Sequence, residues 1–278
     1  MLKRLKNLYG NLLQSARTLR RLEAAAYSTM SPIDRHIAIQ MATRREGVFQ
    51  PSYHAWRATR INKMLELYGL EWFAGKRVIE LGCGHADIGA FLAEIGASVL
   101  CVDGRQENLT FAKLKHRNVG GLEYLHADLD GEFPALGRCD LLIHFGLLYH
   151  LEDVDRHLAQ CWALADEIVL ESVVCDSLDP AKIVYLGRDK PVNSRGLHGK
   201  QNRPSPFYVE RLATAAGYEI ERCFTPDLNS GMFIYDWPHK DNGDLGGFAK
   251  RRMWRFHKPA QAARAPSDAG AQLPAAAE

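Results

Sequence analysis

Gly82 and Gly84, in the stretch VIELGCGHADIG at residues 78–89, fall where a run of apolar residues gives way to a helical pattern. Lacking a Cβ, glycine lets the main chain approach a ligand closely, and the first turn of the following helix presents unpaired N–H groups. Open α/β sheets bind their ligands at such a strand end. The next apolar segment, SVLCVD, closes on Asp103, twenty-one residues after Gly82. At that spacing a carboxylate accepts hydrogen bonds from both hydroxyls of a ribose. The ligand implied is a nucleoside-containing cofactor.

Two cofactor classes fit a ribose-binding acid. A dinucleotide fingerprint calls for a third glycine at position 87, where the helix packs beside the pyrophosphate, and this chain has Asp87 there. A carboxylate facing a pyrophosphate repels it. S-adenosylmethionine has a ribose and an adenine but no phosphate, and it carries a zwitterionic amino acid end and a sulfonium cation. Glu80, two residues before the first glycine, suits the cationic amino acid end, and Asp128, in LHADLD, suits the adenine N6 amine.

The elements that must hold these residues are read from periodicity. RVIEL, SVLCVD, LEYLHA, CDLLIHFG and EIVLESVV are apolar strands separated by amphipathic helices, the pattern of a parallel sheet covered on both faces. The fold expected is α/β, a doubly wound, mostly parallel seven-stranded sheet with a C-terminal antiparallel hairpin, YEIERCFTP with GMFIYDWP, and a helical N-terminal extension. The extension (residues 1–70) contains an amphipathic helix over 2–24, a helix starting at SPID, where Ser31 caps and Pro32 fits the first turn, and a third over YHAWRATRINKMLELYG. Residues 71–258 form the cofactor domain, with an aperiodic insertion at 176–204. Residues 259–278, rich in Ala and Pro, read as a disordered tail.

VIELGCGHAD, VLCVD, HADL and DLLIHFGLLYHLED, in that order and spacing, resemble the successive motifs of class I S-adenosylmethionine-dependent methyltransferases, and the loop resembles the ubiquinone-type O-methyltransferases. The resemblance covers residues 76–175 and implies a Rossmann-like transferase in which Gly82, Cys83 and Gly84 line the methionine moiety, Asp103 the ribose, and Asp128 and Leu129 the adenine. His144 or Phe145 would lie beneath the sulfonium, and Gly104 would shape the adenine pocket. Ala86 stands where the family often has a third glycine, a change expected to narrow the turn without blocking it. The ubiquinone-type enzymes carry metal-holding acids in the loop after the fourth strand; Gly146 and Tyr149 occupy the equivalent positions here, so no metal is expected. LLYH also resembles tRNA wobble-uridine carboxymethyl transferases.

Methyl transfer asks an enzyme to hold donor and acceptor near attack distance and exclude water, and a hydroxyl acceptor must also lose a proton. His150, on the loop that would border the acceptor, is the candidate base. His144 is expected to pack against the cofactor and His198 to close over the acceptor, while Tyr149 orients the acceptor or belongs to the core. Arg57 and Arg60 could cap the pocket and pair with the cofactor carboxylate.

The insertion carries Lys182, Arg188, Lys190, Arg195, Lys200 and Arg203, a locally basic lid suited to an anionic or hydroxyl-rich small molecule or glycan. RNA is the other acceptor class, and a cofactor-binding module without transfer activity is the non-enzymatic reading. The net charge is only +2 over 278 residues, so no global field advertises a polyanion. The six cysteines form no C-x-x-C pair and read as small buried hydrophobes in the cytoplasm. No apolar run reaches the ~18 residues of a membrane-spanning helix. The basic helix over 2–24 docks on its own domain, on a second copy in a homodimer, or on an anionic membrane surface.

Overall fold

The computed structural model describes residues 53–187, 197–199, 201–247 and 249–259. The helices expected over 2–24 and from SPID, and the tail from residue 260, lie outside the described residues, as do Arg188, Lys190, Arg195 and Lys200 of the insertion.

Helix α1 (Tyr53–Tyr68) ends at Gly69, whose left-handed φ of 79° turns the chain while its N–H donates to Leu65 O at 2.8 Å. The alternating unit follows: β1 (Arg77–Leu81), α2 (Asp87–Glu94), β2 (Ser98–Asp103), α3 (Gln106–Lys115), β3 (Leu122–His126), β4 (Leu141–Phe145), α4 (Val154–Leu164) and β5 (Glu167–Val173). A short two-stranded sheet, β6 (Ile183–Leu186) with β7 (Gln201–Pro204), precedes α5 (Pro206–Ala215), β8 (Glu219–Arg222) and β9 (Arg251–His257).

The seven-stranded sheet runs β3-β2-β1-β4-β5-β9-β8. Its first five strands are parallel, and β9 is antiparallel to both neighbours. Strand order reverses between β1 and β4, which opens the ligand crevice at their carboxyl ends. Alternate residues serve opposite faces. Val78, Leu141 and Ile143 pack with Trp56 and Met64 of α1 and Leu92 of α2, whereas Ile79, Leu81 and Leu142 pack with Leu158 of α4 and Val209 of α5. Cover on both faces is why these strands read as continuous apolar runs.

Two expectations are corrected. GMFIYDWP is not a strand of the main sheet: Ser230 and Phe233 close a tight turn, Ile234 makes an isolated bridge to Lys250, and β8 pairs instead with RRMWRFH. Arginines disguise that strand. Arg251 and Arg252 are 1% and 2% exposed, the first paired with Glu171, the second donating to the carbonyls of Tyr235 and Trp237. The insertion is also more ordered than its lack of period suggests. Ser205 Oγ accepts from Tyr208 N (3.0 Å) to cap α5 and donates to Asp179 O (2.6 Å), fixing the start of the insertion to its end.

Candidate cofactor and active site

The turn after β1 is held from beneath by β2. Gly82 N and Cys83 N donate to Val102 O at 2.8 and 3.1 Å, and Gly84 N donates to Asp103 Oδ2 at 2.8 Å. Gly82 and Gly84 adopt φ of 69° and 56°, the left-handed region that costs an L-residue about 1–2 kcal/mol. Ala86 sits at φ 56° as well, so the turn keeps its left-handed shape without the family's third glycine. A Cβ on Gly82 would lie 3.1 Å from Leu147 Cβ, which places the chain after β4 directly over the turn.

Asp103 is already engaged. Besides Gly84 N, it accepts from Arg105 N (2.9 Å) and Asn108 Nδ2 (3.1 Å), and burial pushes its pKa up against those bonds. A carboxylate has about four lone-pair directions, so one further donor fits without displacing a partner. Both ribose hydroxyls can be received only if one present partner gives way.

Glu80 lies under the same turn, 5% exposed, with Oε2 accepting from Gly89 N at 2.9 Å. A Cβ on Gly89 would come within 2.8 Å of that oxygen, so helix α2 can pack here only with glycine. Burial pushes the Glu80 carboxyl up to about 8. Glu80, Gly82, Cys83 and Phe145 share a small cavity of about 40 Å³ with Arg57 and Arg60 of α1. The two arginines therefore share one cavity with the glycine turn. Arg57 pairs with Asp87 at 2.7 Å, and the Arg60 guanidinium stacks 3.7 Å from the Trp56 ring, with Glu171 at 3.8 Å.

Asp87 is a correction. It also binds Lys115 and faces His116 Nε2 at 3.4 Å. Burial alone would raise its pKa, but His116, Arg57 and Lys115 hold it well below the usual carboxylate range. With its charge answered by cations, Asp87 no longer argues by repulsion against a pyrophosphate.

Beyond β3, Asp128 accepts from Asp130 N (2.9 Å) and pairs with His198 Nε2 (2.8 Å). His198 is thus held on Asp128, and its neighbour Leu197 leaves no room for a Cβ on Gly104. Leu129 is buried. His144 is corrected too: it is fully buried, its Nε2 is 2.7 Å from His157 Nε2, and it is absent from the cavity that Phe145 lines. Burial, then the neighbouring His157, keep its pKa far below the ordinary value.

His150 closes a 3-10 turn, Leu148–His150, with its ring centroid 4.1 Å from that of Tyr149. Asn202 of β7 donates to the carbonyls of Leu148 (2.9 Å) and Leu151 (2.7 Å), tying the insertion to the turn that bears the candidate base. Tyr149 is 4% exposed beside Arg251 and reads as core.

Sequence reasoning missed Asp130. Its carboxylate accepts from Glu152 N at 2.6 Å, bridging the loops after β3 and β4. The signal was there, since Asp130 follows Asp128 at the same strand end. Asp128, Asp130, Glu152 and Asp153 line an open cleft of about 580 Å³ with Tyr185 of β6 and His198. Among the described residues, four carboxylates against His198 and one arginine, Arg156, line this opening; of the basic lid expected, Arg188, Lys190, Arg195 and Lys200 lie outside the described residues. Lys182 is exposed and Arg203 is buried, its guanidinium on Asn202 O and Gln201 Oε1.

Residues 79–166 match the family model described as a methyltransferase domain. Over 153 residues the chain is 30% identical to the ubiquinone biosynthesis O-methyltransferase of Dinoroseobacter shibae, covering 53% of this chain and 61% of that one. Over 110 residues it is 30% identical to the 23S rRNA (uracil(1939)-C(5))-methyltransferase RlmD of a Shewanella species, covering 37% and 24%. Across the curated relatives the match spans between 20% and 61% of their own length. The crystal structure of the N-terminal domain of EvdMO1 with S-adenosylhomocysteine bound has a similar fold, with a TM-score of 0.54, 22% identity, and coverage of 72% of this chain and 79% of that one.

Sheet order and glycine turn define a Rossmann-like fold, and residues 79–166 match a methyltransferase domain. Over residues 79–166 the chain is similar to the class I S-adenosylmethionine-dependent methyltransferases. S-adenosylmethionine is the cofactor of that class, and the left-handed glycine cradle with acids at the ends of β1, β2 and β3 fits it. No described helix is long and apolar enough to cross a membrane.

Proposed function

We propose that this chain methylates an oxygen of a small polar, sugar or glycan acceptor. The observation that carries the acceptor class is the cleft edged by Asp128, Asp130, Glu152 and Asp153, beside the turn that bears His150. Carboxylates accept hydrogen bonds from hydroxyl groups and repel phosphates, so the cleft favours a hydroxyl-rich molecule over RNA. When bound, S-adenosylmethionine would supply a methyl carbon activated by the sulfonium, open to in-line attack by an acceptor oxygen with S-adenosylhomocysteine as the leaving group.

The chain's own residues prepare that displacement. Gly82, Cys83 and Gly84 bring bare main chain to the methionine end, and Arg57 or Arg60 meets the carboxylate there. Glu80 takes up the ammonium, giving up its proton as it does so. Asp103 receives a ribose hydroxyl, Asp128 and Leu129 border the adenine, and Phe145 closes the floor. His150 accepts the hydroxyl proton as the oxygen–carbon bond forms. Tyr149 packs against the imidazole and Asn202 fixes the turn beneath it, both keeping the base in place.

Three measurements test this. Radiolabelled methyl transfer into fractionated cell extract is expected to label small molecules or glycans; label in RNA, falling steeply with salt, would move the acceptor to nucleic acid. Calorimetry is expected to show S-adenosylhomocysteine binding, and no binding would overturn the assignment. His150→Ala is expected to lower turnover about a hundredfold or more with unchanged cofactor affinity, and an unaltered rate would remove His150 from the chemistry.

A further inference from the structure

Behind β4, on the sheet face opposite the cofactor cavity, three residues with metal-binding atoms converge in the core. His144 of β4 and His157 and Cys161 of α4 are 0%, 1% and 1% exposed, one ligand atom from each lies within 4.8 Å of the others, and the two imidazoles meet Nε2 to Nε2 at 2.7 Å. His157 and Cys161 share one face of α4 at i, i+4. Sequence reading passed over this site because it found no C-x-x-C pair and no His at zinc-ligand spacing, and His144 comes from another element.

The hydrogen bonds orient the imidazoles as ligands. His157 Nδ1 is 2.8 Å from Leu129 O, an acceptor only, so Nδ1 carries the proton and Nε2 presents a lone pair to the cluster. Such a carbonyl contact is the usual support behind a metal-bound histidine. His144 Nδ1 is buried with no hydrogen-bond partner, so it can take the proton that Nε2 gives up. Ligand atoms around one ion stand about 3.3–3.9 Å apart. The imidazole nitrogens, now 2.7 Å apart, would separate by less than about 1 Å, and the thiol would close by about 1 Å, within the reach of side-chain rotation.

We infer that His144, His157 and Cys161 form a buried site for one soft, thiolate-binding d10 metal ion. Cys161 binds as the thiolate, so one proton per ion leaves for solvent, while the His144 proton moves from Nε2 to Nδ1 and no electron is transferred. A dry site with two neutral imidazoles and one thiolate suits Cu(I), which leaves the cluster uncharged; Zn(II) leaves one positive charge and asks for a fourth ligand. Either ion would staple α4 to β4, and so fasten from behind the loop 146–153 that carries His150. The inference is independent of the acceptor and of the methyl transfer reaction.

The full chain is refolded anaerobically with Zn(II), or with Cu(I) held by a weak chelator, desalted, and analysed for metal by mass spectrometry. One equivalent of one ion per chain is expected, falling to below about a tenth in Cys161→Ala and in His157→Gln; which ion is retained identifies the source. Co(II) serves as a spectroscopic probe, its thiolate charge-transfer band expected in the parent chain and absent from Cys161→Ala. No retained ion of either kind in the parent chain, or equal retention in Cys161→Ala, overturns the site. The measurement on the parent chain decides the matter even where a variant fails to refold.

Discussion

Glu80→Gln isolates the cost of burying a carboxyl under the cofactor turn. Burial pushes Glu80 from 4.5 up to about 8, only partly opposed by the Gly89 N–H and the Arg60 charge. In the unfolded chain the same group ionises at its ordinary value. Between those two values the folded chain holds a proton that the unfolded chain has lost, so stability falls as pH rises through the window. Below 4.5 both forms are protonated, and above about 8 both are ionised, so outside the window the contribution is flat. At about 1.4 kcal/mol per pH unit, the whole window amounts to about 5 kcal/mol against the folded state. Glutamine keeps an oxygen for Gly89 N and has no charge to bury. Denaturant unfolding of both chains without cofactor, at about pH 5.5 and about pH 8.5, is expected to show the variant's advantage widening by about 3 kcal/mol toward alkaline pH. Stability profiles that stay parallel within about 0.5 kcal/mol would refute the view that Glu80 waits uncharged for a cationic ligand.

Three other substitutions probe the same frame. Asp103→Ala removes the acceptor for Gly84 N, Arg105 N and Asn108, and S-adenosylhomocysteine affinity is expected to fall by about 1.5–3 kcal/mol in calorimetry; unchanged affinity would take Asp103 out of the ribose site. Gly82→Ala puts a Cβ at φ 69° against Leu147, and should cost about 1–2 kcal/mol by urea unfolding while abolishing cofactor binding; a stable, binding-competent variant would show that bare main chain is not needed there. Ser205→Ala removes the α5 cap and the bond to Asp179 O, so a loss of about 0.5–2 kcal/mol is expected in the same assay, and no loss would show that water replaces both bonds.

The parts of the fold legible in the sequence are those whose burial is uniform. Strands β1, β2, β4 and β5 are largely covered on both faces and spell it out in mostly apolar runs, and the glycines at 82 and 84 mark a turn that needs left-handed backbone. Strand β9 was illegible because charge normally signals solvent, yet Arg251 and Arg252 are buried by partners 80 and 15 to 17 residues away in sequence. The candidate site divides the same way. Glu80, Gly82, Cys83 and Phe145 are gathered by local strand geometry and meet in one cavity with Arg57 and Arg60. His144 faces the other side of the sheet, since neighbours on a strand point to opposite faces and only Phe145 can share the side of Glu80. The carboxylates of the cleft were not legible as a group because they come from the ends of separate elements.

Because β9 lies between β5 and β8, the sheet cannot close until the last seven-residue strand has been made. Some eighty residues separate Glu171 from its partner Arg251. A nascent chain halted in that interval would present the hydrogen-bonding edge of β5 to its neighbours, an invitation to aggregate. Truncations that cut into Arg251–His257 should therefore be sharply penalised, a loss that soluble yield across a truncation series would show.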